Sequence, residues 1–334
     1  MSSKTRYIMS NGELKRRENS LSFRTNGKLN HIPVQSIREL YLMNEISINT
    51  KLLDFLGRMG IIVHFFNYYG NYSGTFYPRE KYLSGKLKIK QVQKYLNQRL
   101  DVARPIVSGI CGNIKELLIY YKKHNFDEKI VTTINYFKKD ISQLLNKAYD
   151  IKSLLAVEGM IWNDFYRILK VIIRDEFEFD KRVKRPPDNP INAMISFGNS
   201  ILYTKTLTQI YNTHLDPCIS YLHEPSSRRF SLALDISEVF KPIIVYKTIL
   251  KLVNKKMIKV DEHFIKDYKH CILNDSGKRI FISELQSRLD TAFYHDKLKR
   301  KITYEYAIRQ DLYKLIKFIL EDKPFKPFSI KDKL

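Results

Sequence analysis

Hydrophobic and polar positions change rhythm once along this chain. Up to about Tyr82 the apolar positions recur at short spacing, alternating with polar residues around Leu21 and Phe23, which reads as β-structure. Asn11-Gly12 and Asn26-Gly27 are dipeptides that favour positive φ, and they read as hairpin turns. Residues 37–42 and 46–48 read as further strands. Thr50 is placed as the N-cap of a short helix carrying Leu52, Leu53, Phe55 and Leu56, closed by Gly57 and Gly60. A buried strand follows over 61–66, and Gly70 and Gly74 mark a turn before 75–78.

Beyond Tyr82 the spacing lengthens to that of amphipathic helices, over 92–102, 106–121, 127–145 and, most regularly, 153–177. Pro186, Pro187 and Pro190 break the pattern and leave a basic loop, Lys181-Arg182-Val183-Lys184-Arg185. Helical spacing resumes over 192–211, 242–255, 284–297 and 303–320, interrupted by a hairpin whose turn is expected at 274–277. The expected class is α+β: a small β-rich N-terminal domain, 1–82, followed by a larger all-helical C-terminal domain, 83–334.

Composition narrows the function. The 334 residues are 44% hydrophobic, enough for two ordinary cores and too many for a disordered chain. Lys and Arg number 58 against 35 Asp and Glu, a formal charge of +23. Such a surplus repels itself unless a polyanion neutralises it, so nucleic acid is the expected partner. A membrane surface is disfavoured, because no polybasic tail flanks an amphipathic anchor. Cys111, Cys218 and Cys271 lie far apart and read as structural thiols of a reducing compartment. The N-terminus has no apolar stretch of signal-peptide length, and apolar runs such as 60–66 are too short to span a bilayer. A cytoplasmic protein is expected.

Candidate chemistry sits in three segments of the helical half. Glu158 lies beside the inward stripe of Leu154, Val157, Ile161, Phe165, Ile168 and Ile172, where a carboxylate needs a compensating charge. A salt bridge to Lys or Arg meets that need as well as a functional role does. His223 precedes a polar turn and is, taken alone, as compatible with an incidental loop residue. Asp235 and Glu238 are three apart, so a helix puts both on one side, and a cation relieves their repulsion. An acidic helical turn stabilised by the dipole explains them equally well. Oxygen donors with one imidazole suit Mg²⁺ or Mn²⁺ better than zinc, and in a basic protein such a site handles phosphodiesters. Whether Glu158 and His223 meet is not readable from spacing.

These motifs resemble the CRISPR adaptation integrase, the first Cas protein family, over nearly the whole chain. Arg185-Pro186-Pro187-Asp188-Asn189-Pro190-Ile191-Asn192-Ala193, with Ser196-Phe197-Gly198-Asn199 after it, is similar to a family signature. Leu222-His223-Glu224-Pro225 and Leu234-Asp235-Ile236-Ser237-Glu238-Val239-Phe240-Lys241-Pro242 resemble its catalytic segments. Ile46-Ser47-Ile48-Asn49-Thr50 and His64-Phe65-Phe66-Asn67 look like its β domain.

The resemblance implies four catalytic residues, with Mg²⁺ or Mn²⁺ held by Glu158, His223 and Glu238 and Asp235 shaping the site or assisting catalysis. It implies a homodimer, double-stranded DNA as substrate, and a small ferredoxin-like second Cas protein whose dimer two catalytic dimers flank. The implied reaction is transesterification, the 3′-hydroxyl of a short duplex attacking the boundary of a repeat. A general metal-dependent nuclease and a non-catalytic assembly subunit are the alternatives. The acidic pair of the resembled family varies between Asp and Glu, and Glu238 is one methylene longer than Asp; the sequence departs from close relatives in lacking an aromatic ending.

DNA contacts are expected among Lys181, Arg182, Lys184, Arg185, Arg228 and Arg229, with Lys297, Lys299, Arg300 and Lys301 a further patch. Asn192, Asn199 and Tyr203 fall near one helix face and either line the cleft or bond neighbouring helices. Tyr68, Tyr69 and Tyr72 are candidates for a base-pair wedge or for packing.

Overall fold

The structure, a computed structural model, describes residues 4–78, 84–123, 127–173, 175–184, 186–225, 230–267, 270–296 and 298–330. It divides into two compact units, Met1–Leu83 and Ser84–Leu334.

In the first unit the alternation seen in the sequence becomes two four-stranded sheets. The strands are β1 (Lys4–Ile8), β2 (Gly12–Arg17), β3 (Ser20–Thr25), β4 (Lys28–Pro33), β5 (Ile37–Leu42), β6 (Ile46–Ser47), β7 (Ile62–Phe66) and β8 (Tyr72–Phe76), with helix α1 (Thr50–Arg58) between β6 and β7. One sheet has the order β1-β5-β7-β8 and the other β4-β3-β2-β6. Their apolar positions, among them Leu14, Leu21, Phe23, Leu40, Leu42 and Val63, share one core with Leu52, Phe55 and Leu56 of α1.

Asn26 and Gly27 take φ of 48° and 74° and turn β3 into its antiparallel partner β4, as the dipeptide predicts. Asn11-Gly12 is not a hairpin turn: β1 pairs in parallel with β5, and β2 belongs to the other sheet. Gly12 serves close approach instead, since a Cβ there would lie 2.2 Å from the Arg24 carbonyl oxygen. The β2–β3 turn falls at Glu18, with φ of 51°. Asn49, not Thr50, caps α1 by accepting from the Leu52 N–H at 2.9 Å. Gly74 lies inside β8 rather than in the turn before it.

The second unit is mostly helical. Its helices are α2 (Gly85–Gln98), α3 (Leu100–Lys122), α4 (Glu128–Tyr136), α5 (Ser142–Lys147), α6 (Ile151–Ile172), α7 (Pro190–Tyr211), α8 (Ser231–Phe240), α9 (Lys247–Asn254), α10 (Val260–His263), α11 (Asp275–Asp290) and α12 (Tyr304–Glu321). Two ribbons, β9 (Phe264–Asp267) with β10 (His270–Leu273) and β11 (Ala292–His295) with β12 (Arg300–Thr303), qualify the all-helical expectation. The first ribbon precedes the segment assigned to the hairpin turn. Asn274 instead caps α11 by accepting from the Gly277 N–H, so this helix begins earlier than expected and ends before β11. The break expected after Val102 also moves. α3 runs through Pro105, and the division from α2 falls at Arg99.

Three features place the chemistry-bearing residues. α7 is buried nearly all round, which puts it at the centre of the unit. α8 packs on both α3 and α7, and α6 packs on α3. The segment after α12 is pinned under α8: Asn113 on α3 donates to the Val239 and Phe328 carbonyls and accepts from the Ile330 N–H, and Phe328 stacks on Phe240.

A carboxylate and histidine site between three elements

Each candidate ligand comes from a different piece of chain. α6 is started by a capping box between Asp150 and Ser153, and its apolar stripe faces inward, leaving Glu158 at the stripe's edge. α8 carries Asp235 and Glu238, buried and one turn apart. His223 lies on the irregular segment joining α7 to α8.

Asp235 orders the His223 segment. Fully enclosed, its Oδ2 accepts the N–H groups of Tyr221 (2.6 Å) and Leu222 (2.8 Å), and its Oδ1 accepts the His223 N–H at 2.9 Å. The same Oδ1 stands 2.8 Å from His223 Nδ1. Arg99 grips the segment from the other side. Its Nε and Nη2 donate to the carbonyls of Tyr221 (2.6 Å) and Leu222 (3.2 Å), and its Nη1 pairs with Glu224 at 2.6 Å. With a carboxylate on Nδ1, the proton rests there and Nε2 presents a lone pair. Burial disfavours the His223 imidazolium, but the hydrogen bond and charge of Asp235, aided by Glu238, outweigh it and raise the pKa above its ordinary value.

Glu158 feels the charge of Glu238. Burial, and then the charge of Glu238, push the Glu158 carboxyl upward, against the opposing influence of Lys241, His223 and the Trp162 indole. Glu238, 6% exposed, pairs through Oε1 with the Lys241 ammonium, while its buried Oε2 has no hydrogen-bond partner among the described residues. Lys241 also sits 5.9 Å from the centre of the Trp162 ring. Trp162 stacks on Tyr166, whose hydroxyl meets that of Tyr246 at 2.9 Å.

Two pairs of candidate residues are thus brought together: His223 contacts Asp235, and the charge of Glu238 reaches Glu158. Among the described residues no three His, Cys, Asp or Glu side chains are arranged to hold a metal ion as they stand. The cation that Glu238 faces is Lys241. The donor set nevertheless suits a hard divalent ion: a Glu158 carboxyl whose ionisation burial and the Glu238 charge oppose, an orphaned carboxylate oxygen and an imidazole with a fixed tautomer. Arg99, Lys241 and Trp162 escaped the sequence reading. Only Lys241 left a signal there, three residues after Glu238.

The proposed DNA contacts separate. Lys181 and Lys184 are exposed. Arg182 turns onto α7, donating to Asn192 Oδ1 at 3.1 Å and Ser196 Oγ at 2.9 Å. Asn192 is fully buried, and its amide donates to the Lys181 carbonyl and Asp188 Oδ1, so it ties the basic loop to α7 and has no surface to offer a duplex. Tyr203 is likewise buried, its hydroxyl accepting from the Phe230 N–H. Both side chains therefore bond loop segments flanking α7 and α8, and through these bonds neither lines an open cleft nor joins two helices. Asn199 is half-buried, and its Oδ1 has no hydrogen-bond partner among the described residues. Lys299, Arg300 and Lys301 are exposed at the β11–β12 ribbon. Tyr68 and Tyr69 are exposed and pack edge to face, whereas the Tyr72 hydroxyl bonds Thr75 Oγ1. Arg185, Arg228, Arg229 and Lys297 lie outside the described residues. No described helix is long and apolar enough to cross a membrane.

Comparison with known proteins places the chain in a family. A family model described as CRISPR associated protein Cas1 matches residues 6–287. A CRISPR-associated endonuclease Cas1 of Thermodesulfovibrio yellowstonii is 44% identical over 328 residues, covering 97% of this chain and 98% of that protein. The solved structure of a Cas1 protein from Thermotoga maritima superposes with a TM-score of 0.84 at 37% identity, over 96% of this chain and 98% of that one. A casposase bound to integration product shares the fold, with a TM-score of 0.83 at 19% identity, over 98% of this chain and 93% of that one.

Proposed function

The chain belongs to the Cas1 family of CRISPR-associated proteins, a family of endonucleases and integrases, and from that premise we propose that it joins short DNA duplexes to a repeat array by metal-dependent transesterification. The observation that carries the reading is the Glu158–His223–Glu238 constellation, with its imidazole oriented by a buried Asp235 and one carboxylate oxygen left unpartnered. Glu158, His223 through Nε2, and Glu238 would hold Mg²⁺ or Mn²⁺. Bound there, the ion supplies positive charge that polarises a phosphoryl oxygen and acidifies the attacking hydroxyl.

The chain's own residues do the rest. Asp235 keeps the Nδ1 proton in place and so fixes the face that His223 presents. Arg99 holds the loop carrying that ring. Lys241 adds a fixed cation beside the carboxylates, where charge accumulates on the phosphate. The 3′-hydroxyl oxygen forms a bond to the phosphorus at the repeat boundary as the bond from that phosphorus to the old 3′-oxygen breaks. The attacking hydroxyl loses its proton and the departing oxygen gains one, so no triphosphate is consumed. Water in place of the hydroxyl gives cutting, the activity named in the curated relatives. The proposed assembly is a homodimer acting with the small ferredoxin-like second Cas protein. A shared fold with a casposase seen on its integration product supports this reading.

The test is strand joining with Mn²⁺ or Mg²⁺, the partner and a supercoiled array plasmid. A duplex ending in 3′-hydroxyls is expected to give a branched product, and the same duplex ending in 3′-dideoxy nucleotides none, with binding unchanged. Attachment of the dideoxy duplex would refute the nucleophile assigned here.

A further inference from the structure

A concave site lies in the helical unit, with none of the candidate ligands in its wall. A cavity of about 610 Å³ opens between the C-terminal ends of α3 and α6, the length of α9 and the last turns of α11. Its wall includes Tyr120, Lys247, Lys251, Lys255, Glu284 and Arg288, and none of Glu158, His223, Glu238 or Lys241. Ile172, where α6 reaches it, lies roughly 20 Å along that helix from Glu158, at about 1.5 Å per residue. The volume falls in the range of small-ligand pockets.

The charges there are unevenly matched. Lys251 is paired with Glu284 at 2.5 Å. Arg288 uses Nε on the Ile243 carbonyl and stacks on Tyr304, while its buried Nη2 has no hydrogen-bond partner among the described residues. Lys247 is half-buried, and its ammonium rests 3.6 Å from the centre of the Tyr120 ring, with no carboxylate paired to it among the described residues. Burial, and then the charge of Arg288, bring the Lys247 pKa down to about 8. Thr248 Oγ1, also in the wall, is buried without a hydrogen-bond partner among the described residues. Basic residues often do no more than offset the carbonyls of helix ends. That role does not require a half-buried ammonium laid on an aromatic face, next to a guanidinium of like charge. Such an arrangement holds two like charges near one another, a repulsion that an anion relieves.

We propose that this cavity is a nucleotide-binding site, in which Lys247 and Arg288 take a phosphate and the exposed Tyr120 supplies an aromatic edge for the base. The ligand is either a free nucleotide or the terminal nucleotide of an unpaired DNA strand, since both offer the same phosphate and base. The site does not depend on the joining chemistry, and an inactive Glu158→Gln protein should bind as well as the parent.

The experiment is calorimetric titration of the full chain with deoxyadenosine 5′-monophosphate, deoxyadenosine, inorganic phosphate and a single-stranded pentanucleotide. The monophosphate or the pentanucleotide is expected to bind saturably, and the monophosphate at least about tenfold tighter than deoxyadenosine or phosphate alone. Lys247→Met should weaken that binding about tenfold, and Lys247→Arg should keep most of it. A second readout uses the unmutated protein: at pH 8 the Lys247 amine is open to acylation, and the bound nucleotide should shield it. Tighter binding of the pentanucleotide assigns the cavity to a strand end, and tighter binding of the monophosphate to a free nucleotide. Absence of saturable binding by either, or acylation of Lys247 unaffected by saturating ligand, overturns the proposal.

Discussion

Each unit buries a carboxylate against a histidine, and the two pairs differ in what they leave open. In the β unit Glu39 and His64 are both fully buried. Glu39 accepts from the Thr5 hydroxyl at 2.6 Å, His64 Nδ1 meets Thr75 Oγ1 at 2.8 Å, and Nε2 lies 3.9 Å from Glu39 Oε2. Both ring nitrogens therefore face partners inside the fold. In the helical unit Asp235 is just as buried, but it engages only Nδ1 of a His223 ring that keeps part of its surface exposed. The first arrangement is closed. The second fixes a ring from behind and presents its other nitrogen. The lesson is that burial of a His–carboxylate pair does not indicate chemistry; an unspent nitrogen beside further carboxylates does.

The largest expected effect separates the two pairs outright. Glu158→Ala, His223→Ala and Glu238→Ala should each reduce strand joining by about a thousandfold or more, while duplex binding, which rests on many phosphate contacts, stays near normal. Joining at the unmutated rate by all three would remove the site assignment. His64→Ala should leave joining per folded molecule unchanged.

Asp235→Asn is expected to cost roughly 10–100-fold in joining, the scale for residues that orient a ligand. It should retain more metal affinity than Glu238→Gln does. Equal losses of metal affinity by calorimetry would erase the distinction between holding a ligand and being one.

In the β unit, Glu39→Gln or His64→Ala should lower unfolding free energy by about 1–3 kcal/mol, because each strands a buried polar partner. Denaturant melts check this, and a change smaller than their error would make the closed pair dispensable.

The smallest effect is in pH dependence. The folded-state pKa values of His223 and Glu158 are raised, so both contribute stability at low pH that is lost as pH rises through those values. A metal needs both groups deprotonated. Mn²⁺ affinity should therefore climb as pH passes above about 6.5, the ordinary histidine value. His223→Ala should flatten that climb, and His64→Ala should not.

Much of this fold was legible because its signals are local. Period-two alternation around Leu21 and Phe23 requires no distant partner to specify a strand, and neither does the Asn26-Gly27 turn. The stripe from Leu154 to Ile172 likewise placed α6 and put Glu158 at its edge. The misreadings came from residues with two possible reasons for being where they are. Gly12 looked like a turn and serves a close contact with Arg24. Asn274 looked like a turn and caps a helix. For Asn192 and Tyr203 the sequence left both cleft lining and hydrogen bonding within the fold open, and both side chains are buried.

The site divides along the same line. Sequence by itself determined the donors and their local spacing: Asp235 and Glu238 one helical turn apart, His223 on a polar segment, and a charge of +23 suited to a polyanion. Tertiary structure alone decided that Asp235 spends its oxygens on the His223 loop, that Glu238 keeps one oxygen orphaned, and that α6 brings Glu158 within reach of the Glu238 charge. The reason is physical. Helical periodicity fixes which residues share a face, but charge interaction and desolvation depend on distance through space. Those distances exist only once α3, α6, α7 and α8 have packed.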